Sequence, residues 1–192
     1  GGSYAPFTFS SGNGDEYVTT AVTSTFSEAG VEQPWDEDEH EWQLNLGFPF
    51  PFYNQTYTTC RVADNGYIVF GDASPSPMWD ANADAFASQA MIAPLWSDLV
   101  VVDEYDDTGI FVDKADDYVT VRWRGRDFHD EEHFAEEHYL NFSVTLHDTG
   151  QIDFSYGAIQ TTNRVVIGIS SGEPSESPQI LATHNWYKDD PA

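Results

Sequence analysis

The sequence predicts an all-β fold, an antiparallel β-sandwich with long acidic loops and little helix. Three observations carry this. Two stretches alternate cleanly: in Tyr118 to Asp127, Val119, Val121 and Trp123 share one face and Arg122, Arg124 and Arg126 the other. In Tyr139 to His147, Leu140, Phe142, Val144 and Leu146 likewise fall on one side, the period-2 pattern of a half-buried strand. Apolar runs are punctuated by Gly/Asp/Asn turns at about 8–12-residue intervals, the spacing of a sandwich. Aromatic residues make up 15% of the chain, which favours sheets, and no long helical period competes.

In chain order, residues 1–40 mix Ser, Thr, Gly and acids. Tyr17 to Val22 reads as a strand and Trp35 to His40 as an acidic loop, both packing on the domain. Leu46 to Phe52 is apolar but carries Pro49 and Pro51, which suits an edge strand because proline cannot donate to a ladder. Asp64-Asn65-Gly66 signals a hairpin, and Tyr67 to Phe70 a strand ended by Gly71. Asp72 to Gln89 is a long loop with a helical turn around Ala83 to Ala87; loops of this length tend to be functional or mobile. Ile92 to Trp96 carries a proline too early for a central strand. Leu99 to Val102 and Ile110 to Val112 are strands around an acidic break. Ile152, Phe154 and Tyr156 form another inward row, and Val165 to Ser170 a further strand. Ser171 to Pro178 is a turn-rich loop before a tail with Trp186 and Tyr187. Residues 1–192 are expected to form one domain, as their number allows.

Gly47-Phe48-Pro49-Phe50-Pro51-Phe52-Tyr53, Asn65-Gly66 followed by Phe70-Gly71, Ile92 to Asp98, Trp123 and Gly150 to Gly157 stand in a recognisable order. Together, over residues 44–170, they resemble the nidogen-type extracellular domain. They also look like the related region of plexin-domain-containing receptors and like modules appended to secreted bacterial hydrolases. The resemblance implies a non-catalytic adhesion or accessory domain. The chain departs from the animal members in its acidity and in lacking their cysteine-rich neighbours, so their partners do not carry over.

Thirty-three acidic residues against seven basic ones give a net charge of −26. That excludes a basic footprint for nucleic acid or anionic membrane, and it fits either a merely soluble surface or adaptation to high salt. No apolar run approaches the ~20 residues of a membrane helix, so no membrane insertion is expected. The lone Cys60 excludes an internal disulfide framework but not secretion. Gly1-Gly2-Ser3 reads as a cloning remnant that leaves the native start open.

Four constellations could carry chemistry. His129-Asp130-Glu131-Glu132-His133 matches the H-x-x-E-H zinc-protease pattern, with His138 beyond it. That chemistry needs a helix, whereas the segment lies between strands, so the alternatives are a surface Zn²⁺ or Ni²⁺ site and a solvated loop. Asp103, Glu104, Asp106 and Asp107 cluster the oxygens Ca²⁺ takes, near Asp113, Asp116 and Asp117, though without EF-hand spacing. Arg122, Arg124 and Arg126 either pair with neighbouring acids or line a groove for a carboxylate, sulfate or acidic glycan. Trp79 is the candidate stacking platform for a sugar, or else covers a satellite cluster; Trp96 belongs to the core. There is no Gly-x-Ser-x-Gly elbow and no phosphate loop.

The expectation is therefore a non-enzymatic, extracellular or cell-surface module. It is monomeric within a larger chain from a salt-adapted organism and docks an extracellular protein or glycan surface through its 72–89 and 127–138 loops. Calcium is its one candidate cofactor. A carbohydrate-binding module using Trp79 or Trp186, and a metallo-hydrolase at His129 and His133, remain the alternatives.

Overall fold

A computed structural model describes residues 4–11, 16–101, 107–127, 139–161 and 163–184. The chain opens with β1 (Phe7–Ser10), β2 (Val18–Ala21) and β3 (Val31–Glu32). A long hairpin follows, β4 (Glu41–Phe52) and β5 (Gln55–Ala63), and then β6 (Ile68–Val69). The helical turn α1 (Ala83–Ala87) precedes β7 (Ala90–Trp96), β8 (Leu99–Val100) and β9 (Gly109–Lys114). Then come β10 (Tyr118–Asp127), β11 (Tyr139–His147), β12 (Ile152–Ile159), β13 (Val165–Ser171) and β14 (Gln179–His184).

These strands make two antiparallel sheets packed face to face. One has the order β2-β1-β12-β11-β10-β9-β3, with β8 also on β10; the other runs β14-β13-β7-β6-β5-β4. The alternation read from β10 and β11 sets the core. Trp123, Phe142, Val144 and Phe154 from the first sheet meet Leu46, Phe50, Ile92 and Leu95 from the second, none more than 1% exposed. Each such side chain contributes about 1.5–3 kcal/mol of burial. Buried hydrogen bonds join the two sheets: Trp123 Nε1 donates to the Ala63 carbonyl at 2.7 Å, and the Tyr156 hydroxyl to the Pro94 carbonyl at 2.6 Å.

Strand β4, with its two prolines, is the edge of its sheet, as expected. Strand β7 is not an edge, and this corrects the sequence reading of Pro94. It lies between β6 and β13. Proline is tolerated because the β6 pairing ends at Ile92 and the β13 register shifts between Val166 and Gly168, so no ladder bond is asked of Pro94. Strands β1, β3 and β14 went unpredicted: β1 and β3 are short and pair with the distant β12 and β9, while β14 pairs with its chain neighbour β13 but lacks a clean alternation.

Two coverings lie outside the sheets. The 72–89 loop folds onto the outer face of the second sheet, where Ala81 and Phe86 join Tyr67, Met91 and Trp96 in a separate buried cluster. The loop covers that cluster with Ala81 and Phe86 and leaves Trp79 half exposed. Asn82 caps α1 by accepting from Ala85 N at 2.8 Å. On the first sheet, β2 and β3 sit at opposite edges, so residues 22–30 run as a strap across the outer face. Arg122 Nε donates to the Ala29 carbonyl at 3.2 Å, and Asn141 Nδ2 to Glu28 Oε1 at 2.7 Å, fastening it.

Candidate functional site

The turn 64–66 joins β5 to β6 and, with Asp98 nearby, gathers carboxyls whose pKa burial raises. Gly66 has φ +78°, and a Cβ there would stand 2.1 Å from the Leu95 carbonyl oxygen, so only glycine fits. Asn65, fully buried, accepts from Leu99 N at 2.8 Å and donates to Glu39 Oε1 at 2.9 Å. Asp64, also buried, accepts from Glu39 N at 2.8 Å and His40 N at 3.2 Å. The acidic 35–40 loop is thereby pinned against the turn.

Asp38, Glu39 and Asp64 each bring a carboxylate oxygen within 4.8 Å of the others, the one such trio among the described residues. An all-oxygen set is what a hard divalent cation takes, and these residues could hold one. Desolvation pushes the Asp64 carboxyl up to about 8 despite its backbone donors, with Glu39 and Asp38 adding repulsion. Asp98 rises to about 7 by burial first and then by the charges of Glu39, Asp38 and Asp127. Sequence reasoning saw the 35–40 loop and the turn separately. Asp64 sits 25 positions from Glu39, and only the β4–β5 hairpin brings them together.

Among the expected metal ligands, Asp103, Glu104, Asp106, His129, His133 and His138 lie outside the described residues. Asp107 is described, and its carboxylate pairs with Arg126 at 3.0 Å. Arg126 also donates to the Tyr139 hydroxyl at 2.9 Å and lies over that ring. Arg122 is 4% exposed, stacks on Phe111 at 4.0 Å and spends its fork on the strap and on Asn141. Burial lowers its pKa. Arg124 is half-buried between them. The three arginines therefore do not form one open row.

Trp79 is 49% exposed, while Trp35 and Trp42 stack at 5.5 Å, half-buried; Trp186 lies outside the described residues. Trp96 is core, and its Nε1 donates to the Met78 carbonyl at 2.7 Å. Cys60 is buried, which pushes its thiol up to about 12 and makes it a poor nucleophile.

A pair that sequence reading missed is His147 Nε2 and Asp153 Oδ2, 2.7 Å apart on the outer face of the first sheet. The hydrogen bond that the His147 imidazole donates to the Asp153 carboxylate raises the His147 pKa. Burial opposes ionisation of Asp153, but donors on His147, Thr8 and Gln151 outweigh it and lower its pKa. Among the described residues no hydroxyl or thiol is hydrogen-bonded to the His147 imidazole, so the pair is a dyad without a nucleophile.

Two antiparallel sheets packed face to face define an all-β sandwich domain. Over residues 16–188 the chain matches the family described as NIDO related, and it belongs to that family. No curated protein and no solved structure matches it. The family is generally one of non-catalytic modules and points to an extracellular accessory domain. Among the described residues no helix is long and apolar enough to cross a membrane.

Proposed function

We propose that the chain is a non-catalytic adhesion or accessory module that docks an extracellular protein or glycan surface, working as a monomer within a larger chain. One observation carries the reading. Asn65, Gly66, Trp96 and Trp123, four of the residues through which the sequence resembles its family, are buried and hydrogen-bonded or packed into the body. Such residues build a platform; they do not face a substrate. Recognition then falls to variable surface positions.

Beads coated with the 192-residue domain test this on surfaces bearing extracellular proteins or polysaccharides. Retention above uncoated beads, without hydrolysis of ester, peptide or glycoside reporters, is the expected result. Turnover abolished by His147→Ala or by zinc chelation would contradict it. The half-exposed Trp79 favours a second reading, a carbohydrate-binding module stacking a sugar on that ring. Calcium remains a proposal for the Asp103–Asp107 loop, checked by whether chelator lowers the melting temperature. Salt adaptation is proposed from the net charge of −26.

A further inference from the structure

The strap and the first sheet enclose a groove of about 350 Å³, open to solvent on one side. Its floor is a cross-strand array of outward side chains. The register places Thr120 opposite Thr145, Ser143 opposite Ser155, and Thr145 opposite Asp153. The Thr120 and Thr145 hydroxyls are 2.7 Å apart. Thr25 and Ser27 of the strap form one wall. Tyr118 closes the end, its hydroxyl donating to Asp113 Oδ2 at 3.2 Å and its ring 6.4 Å from His147. The polar groups of the lining are hydroxyl, carboxylate and imidazole, set among methyl and methylene carbon that makes up the larger share of its surface, with one aromatic ring.

The charges decide what this groove accepts. An anion would meet Asp113 and Asp153 in a chain of net charge −26. A cation finds Asp153 already taken, its oxygens accepting from Thr8 at 2.7 Å, His147 at 2.7 Å and Gln151 at 3.0 Å. Asp113 in turn accepts from Tyr118. The Ser143, Ser155, Thr25 and Ser27 hydroxyls have no hydrogen-bond partner among the described residues, and each can both donate and accept. A neutral polyol matches that set: its hydroxyls exchange bonds in both directions, and its C–H face can lie against Tyr118. The volume is at the small end of ligand sites, which start near about 300 Å³.

We propose that this groove, between the 22–30 strap and the outer face of β10–β12, is a binding site for a neutral saccharide of one or two rings. The proposal rests on the accessory-module reading and gives it a ligand class and a place, distinct from Trp79. The test is calorimetric and saturation-transfer NMR titration of the domain with neutral mono- and disaccharides, with sulfated and amino sugars as charged controls. At least one neutral sugar is expected to bind. Ser155→Leu, which fills the groove from a solvent-facing position, should weaken it at least about tenfold, the equivalent of about 1.4 kcal/mol. Trp79→Ala should leave binding unchanged. Thr145→Val gives a second, isosteric variant should Ser155→Leu melt early. No binding by any neutral sugar, preference for a charged one, or binding that survives Ser155→Leu and vanishes in Trp79→Ala would each overturn the groove assignment. Coated beads separate the two claims: retention undiminished by Ser155→Leu keeps the accessory reading while removing the groove.

Discussion

Trp123 does two jobs from one position. Its indole stacks on Phe142 at 5.4 Å in the centre of the core, and its Nε1 satisfies the Ala63 carbonyl of the opposite sheet. Trp123→Phe would keep an aromatic ring but open a cavity and strand that carbonyl, costing about 2–4 kcal/mol. Urea unfolding measures this, and a loss below about 0.5 kcal/mol would mean that the crossing bond contributes nothing. The inward position of Trp123 was legible from alternation, because a period-2 pattern is local. The fate of Arg122 was not: the carbonyls that receive it, Glu28 and Ala29, lie more than ninety positions away on a strap with no sequence signature.

At the scale of elements, the β4–β5 hairpin turns at Tyr53 and Asn54, both at positive φ, the twist-matched geometry of a two-residue turn. With no glycine at the turn, that geometry left little trace in the sequence, whereas Asn65-Gly66 announced itself. Strand β7 was misjudged for a related reason: a proline rule applies to regular ladders, and a bulge excuses it. The β11–β12 pair carries its own pH dependence through His147 and Asp153. The folded pKa of His147 lies above its unfolded value near about 6.5, so its contribution is full below that pH and fades as pH rises through the folded pKa. Asp153, with a lowered folded pKa, contributes above about 3.9 and loses that contribution in stronger acid. Asp153→Asn should therefore destabilise most between about pH 4 and 6.5, with a smaller difference from the parent above that range. Melting curves of both proteins across pH check this; a difference that grows toward alkaline pH would reverse the assignment.

For the molecule as a whole, buried carboxylate is the liability, and like charge adds to it. Asp64 and Asp98 have raised folded pKa values, so their neutral forms favour folding below about pH 4, and that contribution is lost as pH climbs to about 8 and about 7 respectively. The His147 contribution falls in the same direction. The melting temperature should accordingly be highest in mild acid and drop toward pH 8. Sodium chloride near 1 M, where screening acts within about 3 Å, should recover part of the loss. A melting temperature indifferent to salt would remove the salt-adaptation proposal. The most direct test of the central claim, that the buried residues of the family resemblance hold the platform together, is thermal unfolding of Asn65→Ala. Its amide ties the acidic loop and Leu99 N to the turn, so its loss should cost about 2–3 kcal/mol and lower the melting temperature by about 4–10 °C. A variant that melts with the parent yet loses surface retention would contradict the account, because Asn65 would then act in recognition and not in folding.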